Sequence, residues 1–144
     1  MSPTAGVRIL AVSGSLRAAS TNTAALRTAA ATAPPGTTVE VYAGLGALPG
    51  SFKNLLDWCI GDGDPRSIYE KPVAWINTSP RGATAAHESL AAVLGYAHAT
   101  VIGDACIHIP VTAAMAGADG TIADPAARAA VADAVAALSA GAGG

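Results

Sequence analysis

The chain has 144 residues and a formal net charge of −2, with 51% hydrophobic against 12% charged residues, a composition that excludes a disordered polyelectrolyte and predicts one domain over 1–144 with a substantial core. The absence of any basic stripe argues against nucleic acid as a partner. Its two cysteines, Cys59 and Cys106, lie in separate apolar stretches, so they read as buried structural thiols rather than a disulfide framework or a zinc site.

The first predicted element is a strand carried by Val7, Ile9, Leu10 and Val12. It breaks into the turn Ser13-Gly14-Ser15 and then a helix over 22–33, with Ala25, Leu26 and Ala29 on one side. Pro34-Pro35-Gly36 ends that helix, and β-branched and aromatic residues predict a second strand over 38–42. A glycine-rich loop leads to Ser51, a helix N-cap candidate. Phe52, Leu55, Leu56, Cys59 and Ile60 then fall at helical spacing on one stripe. Gly61-Asp62-Gly63-Asp64-Pro65 is too short for a calcium loop and lacks its terminal glutamate, so it reads as a plain turn. A third strand is expected over 73–77, a helix over 84–96 with Leu90, Ala91 and Leu94 inward, and a fourth strand over 101–109. Asp124-Pro125 opens a last helix with Ala127, Val131, Val135 and Leu138 on one face. This alternation predicts an α/β fold with a parallel sheet.

The turn after the first strand carries the chemistry. Gly14 permits the bend, Ser13, Ser15, Ser20 and Thr21 supply hydroxyls, and Arg17 supplies a planar cation. The next helix directs the positive end of its dipole at the loop, as a phosphate monoester requires. The pattern is neither a Walker loop nor a dinucleotide fingerprint. The same residues also fit a polar strand-to-helix turn in which Ser20 or Thr21 only caps the helix.

Ser13-Gly14-Ser15-Leu16-Arg17 followed by Ser20 and Asn22 resembles the phosphate loop of the NAD(P)H-dependent FMN reductases, flavodoxin-like flavoproteins that include quinone and chromate reductases. Two further segments carry the resemblance: Leu48-Pro49-Gly50 running through Lys53-Asn54 to Asp57-Trp58, and Lys71-Pro72-Val73 running to Ser79-Pro80-Arg81-Gly82. The resemblance implies a flavodoxin-like three-layer sandwich, of which four strands are recognisable instead of five. A helix and a central strand that the family places before the Pro-Gly helix are missing. Two repairs can be drawn: the first strand pairs directly with the strand at 73–77, or the segment at 38–42 moves into the vacant central place.

By the same resemblance, Ser13, Ser15, Leu16, Arg17, Ser20, Thr21 and Asn22 would hold the FMN phosphate, Pro49 and Gly50 would approach the ring edge, and Ser79, Pro80, Arg81 and Gly82 would close over the isoalloxazine. No side chain need act as a nucleophile, because FMN is the reactive group and NAD(P)H the co-substrate. A quinone, a free flavin or a metal oxyanion would be the small-molecule electron acceptor. A homodimer or homotetramer is implied, with Trp58 at a subunit contact. The competing reading is a shortened, non-catalytic relative that binds a phosphate-bearing ligand or another subunit. The segment 78–83 could also be a bare strand-to-helix connection. His87, His98 and His108 show no paired spacing and read as surface or packing residues, with no metal site expected. Met1 to Gly6 lack a charged, apolar leader, and no run is apolar enough to span a bilayer, so a cytoplasmic protein without membrane association is expected.

Overall fold

The structure, a computed structural model, describes residues 6–15, 19–42, 57, 59 and 67–143. Strand β1 (Val7–Val12) runs into helix α1 (Thr21–Ala31), which returns to strand β2 (Thr37–Tyr42). β1 and β2 pair in parallel over six residues, Val7 opposite Thr37 through Val12 opposite Tyr42. The α1 helix begins at Ser20, whose extended backbone and hydroxyl cap it by accepting the Thr23 N–H.

Beyond residue 66 come β3 (Pro72–Val73), β4 (Ile76–Asn77), helix α2 (Thr84–Tyr96), β5 (Thr100–Val101), β6 (Ile107–His108) and helix α3 (Pro125–Ala142). The two long strands expected at 73–77 and 101–109 are therefore each broken into short pieces. β3 pairs in parallel with β5, Val73 opposite Val101, and β4 pairs with β6, Ile76 opposite Ile107. Between these two registers one strand advances three residues and the other six. The surplus coils into a 3-10 turn at Gly103–Ala105, which interrupts the ladder. The described residues thus keep the mixed α/β, parallel-strand character of a flavodoxin-like fold in three two-stranded ladders.

Neither repair of the missing central strand produces a ladder among the described residues: β2 stays beside β1, and no strand pairing joins β1 or β2 to β4. A shared core holds the two halves instead. Ala24, Ala25 and Ala29 of α1 meet Ala127, Val131 and Val135 of α3 and the loop residues Val111 and Ile122. Ile9 and Val39 pack on this cluster from the first ladder, and Ile76 and Ile109 from the second half. Alanines on the facing sides of α1 and α3 let the helices approach closely, and fully burying Ile122 and Val131 contributes about 1.5–3 kcal/mol each. Leu26 and Leu138, expected in this core, are only half-buried.

Thr28 adds a polar tie inside the apolar layer. Its hydroxyl donates to the Ala24 carbonyl and accepts the N–H of Ile122, both at 2.8 Å, so a loop 94 residues away is fastened to α1. Asp124 caps α3 by accepting from the N–H of Ala127, and Pro125 occupies the first turn. The opposite face of the first ladder is open: Leu10 is 68% and Tyr42 51% exposed, where a central parallel strand would be covered on both sides. Exposed Arg8 and Glu40 pair across that face at 2.5 Å. Helix α2 keeps the expected bounds but buries only Leu94 fully, with Leu90 and Ala91 half-buried.

Candidate functional site

The ends of β1 and β4 are where a parallel sheet exposes loops and helix N-termini to a ligand, and here they are joined by side chains. The Thr78 hydroxyl donates to Asn22 Oδ1, and the Thr21 and Thr78 hydroxyl oxygens lie 3.0 Å apart. Since Thr78 has one hydroxyl proton and gives it to Asn22, Thr21 is the donor of the second bond. This knot spans 57 residues of sequence and stands at the boundary where no ladder forms.

Beside it lies a cleft of about 240 Å³ lined by Thr21, Asn22, Asn77, Thr78, Ser79 and His87, with Ile76 and Ala83 completing the wall. The cleft meets the first turn of α1 and the first turn of α2. Thr21 and Asn22 belong to the first turn of α1, and Ala83 and His87 to the start of α2, so the positive dipole ends of both helices lie near the same space.

The hydroxyls expected to grip a phosphate divide into two groups. Ser13 is buried, and its oxygen accepts the Ser15 N–H at 3.3 Å, lies 2.9 Å from the Thr23 hydroxyl and approaches the Ser15 carbonyl at 3.3 Å. Its hydrogen-bonding capacity is spent in shaping the turn. Ser20 is engaged as the α1 cap, the capping role anticipated for that position, although its hydroxyl proton remains available for donation. Thr21 lines the cleft but directs its proton to Thr78. Asn22 accepts through its amide oxygen, which orients its amide nitrogen as a donor. Leu16, Arg17, Pro49 and Gly50 lie outside the described residues, as does Trp58.

The loop Ser79–Gly82 is a tight turn closed by the Gly82 N–H donating to the Ser79 carbonyl at 3.1 Å, with Pro80 at its second position. Ser79 lines the cleft, whereas the Pro80 ring and the Arg81 side chain are exposed. Gly82 (φ 80°) and Ala83 (φ 47°) are both left-handed; the alanine costs roughly 1–2 kcal/mol for this conformation and begins α2 without a side-chain cap. Asn77 holds the turn from inside, accepting the Ser79 N–H at 2.9 Å and donating to the Gly82 carbonyl. His108 Nε2–H donates to the Ser79 carbonyl at 2.7 Å. His87 Nδ1 lies 3.0 Å from the Ala83 carbonyl and therefore carries the proton it donates there, while its ring sits 5.8 Å from that of Trp75.

Four residues of this arrangement were not singled out from sequence as part of a site: Asn77, Thr78, His87 and His108. The first two carried a usable signal, a polar pair at the carboxyl end of an apolar parallel strand. The histidines carried none, because their partners are backbone carbonyls brought near by the turn.

A family model described as NADPH-dependent FMN reductase matches residues 44–114. The similarity to that family is confined to this segment, just under half of the chain. It takes in Pro49 and Gly50, the knot residue Thr78 and the Ser79–Gly82 turn, and it begins beyond the β1–α1 turn. No curated protein matches the chain. Among the described residues, no helix is long and apolar enough to cross a membrane, and no group of three or more histidine, cysteine, aspartate or glutamate side chains could hold a metal ion.

The residues lining the cleft fit the phosphate end of FMN: the first turn of α1 with the Asn22 amide, and the Ser79 hydroxyl, with no carboxylate among the described lining residues. Pockets that enclose a whole cofactor-sized ligand run to about 300–1,000 Å³. A cleft of about 240 Å³ takes part of such a molecule.

Proposed function

We propose that this protein is an FMN-dependent oxidoreductase that takes its reducing equivalents from NAD(P)H and passes them to a quinone, a free flavin or a metal oxyanion. The observation that carries this reading is the convergence of the α1 and α2 N-termini on one cleft lined by hydroxyl and amide groups, within a chain whose residues 44–114 match the family. Bound FMN supplies the hydride-accepting and hydride-releasing chemistry. The chain's own part is to bind and orient. The Asn22 amide, the Ser20 hydroxyl and the first N–H groups of α1 meet the phosphate; Arg17 adds a bidentate positive partner from the same turn. Ser15 and the buried Ser13 set the course of that turn, and by the family resemblance Leu16 belongs to the same phosphate loop. Ser79, Pro80, Arg81 and Gly82, with Pro49 and Gly50, form the ring side of the reading.

Purified protein titrated with FMN should quench flavin fluorescence to saturation and then oxidise NADPH or NADH in the presence of a quinone. A folded preparation that ignores added FMN overturns the proposal. A specific observation favours a second reading, a phosphate-ligand-binding relative without turnover: among the described residues no ladder joins β1 to β4, and Leu10 and Tyr42 stand open where a flavodoxin-like sheet is covered. Saturable FMN binding without NAD(P)H oxidation would select it. A homodimer or homotetramer in the cytoplasm belongs to the first reading, and molar mass by light scattering tests the assembly.

A further inference from the structure

We propose that Asn77 and His108 are positioning residues that hold the Ser79–Gly82 turn in the shape that receives the flavin, an inference that rests on the FMN reading above. The turn is short, begins with Ser79-Pro80 and ends in two consecutive left-handed residues, Gly82 and Ala83. Such a turn does not keep one conformation by itself, since a left-handed alanine is disfavoured and α2 begins there without a side-chain cap. Beside the bonds of His87 to the Ala83 carbonyl and of the Arg81 N–H to the Ser79 hydroxyl, three bonds from Asn77 and His108 compensate.

Asn77, only 7% exposed, uses both ends of its amide on the turn, its oxygen on the Ser79 N–H and its nitrogen on the Gly82 carbonyl. Only an amide offers an acceptor and a donor in this fork; aspartate keeps the acceptor and sets a second acceptor against the Gly82 carbonyl. His108 reaches the Ser79 carbonyl from β6, the strand paired with the one that carries Asn77. The clamp thus anchors both flanks of the turn to the ends of the β4–β6 ladder. Its members need not touch a ligand to act on one, because they determine where Ser79 and Gly82 stand.

The test compares FMN binding by fluorescence titration with thermal unfolding in the wild type, Asn77→Asp, His108→Ala and His108→Gln. Asn77→Asp should raise the FMN Kd roughly tenfold, the scale of one lost hydrogen bond to a pre-organised loop. His108→Ala should raise it roughly threefold, and His108→Gln, whose amide can still donate to the Ser79 carbonyl, should bring it back towards the wild-type value. His108 is exposed, so its variants are expected to fold and to decide the matter if Asn77→Asp does not. Rescue by glutamine is the readout that a merely structural role would not produce. Wild-type affinity in a folded Asn77→Asp, or equal affinities in the two His108 variants, overturns the clamp while leaving the FMN reading intact. A wild type that does not bind FMN overturns both.

Discussion

Replacing Thr78 with valine tests the knot between α1 and β4 most directly. The side chain is 1% exposed and valine has nearly its shape, so the change removes one oxygen without opening a cavity. Two hydrogen bonds disappear, one given to Asn22 and one received from Thr21. Each is worth about 0.5–1.5 kcal/mol net, and their partners lie at the edge of a cleft where water can replace part of the loss. The expected destabilisation is about 1–2 kcal/mol, which lowers Tm by roughly 3–6 °C in a domain of this size. The functional effect is separable. Without Thr78 the Asn22 amide is free to turn over, and a donor worth about 1.5–3 kcal/mol to a charged phosphate is no longer pre-aimed. Losing about half of that contribution raises the FMN Kd by roughly 3- to 12-fold. Riboflavin, which has the ring but no phosphate, should bind the variant within about twofold of its wild-type affinity. Thr78→Ser keeps the hydroxyl and should restore the FMN value. Equal losses for FMN and riboflavin, or unchanged FMN affinity in folded Thr78→Val, would refute the assignment of this knot to the phosphate end.

Two further substitutions probe the frame around the site. Thr28→Val leaves the buried N–H of Ile122 without an acceptor and should cost about 1–3 kcal/mol, whereas Thr28→Ser keeps the bond and should cost less; denaturant unfolding of the two variants decides whether the hydroxyl or the methyl matters. Asp119 is held below its usual carboxylate range first by the Thr121 N–H and then by the Thr121 hydroxyl. A depressed folded pKa stabilises above the unfolded value of about 3.9, and the contribution is lost as pH falls through the folded one. Melting curves of wild type and Asp119→Asn between about pH 5 and pH 2.5 should therefore converge on acidification, because only the wild type titrates; parallel curves would contradict the assignment.

Much of the frame was legible in residue order. Asp124-Pro125 marked the start of α3, alanine spacing marked the buried sides of α1 and α3, and Ser20 could be recognised as a cap, because each of these signals is local to one or two helical turns. The Ser13-Gly14-Ser15 turn and the Ser79–Gly82 turn were both visible as breaks after apolar strands. The strand expected over 101–109 is broken by the turn at Gly103–Ala105: apolar character runs through Ile102, Ala105 and Cys106, and nothing in that run announces that its partner strand is three residues shorter.

What residue order alone determined, then, is which segments turn, which coil and which residues carry donors suited to an anion. The tertiary structure decided which donors remain for a ligand. Ser13 and Thr21 have the same hydroxyl chemistry as Ser20, yet the first is consumed by its own turn and the second by Thr78, 57 residues away. Asn77 and His108 enter the site for the same reason. A hydrogen bond depends on where two groups meet in space, and these groups meet through the packing of α1 and α3 on their common core and the pairing of β4 with β6.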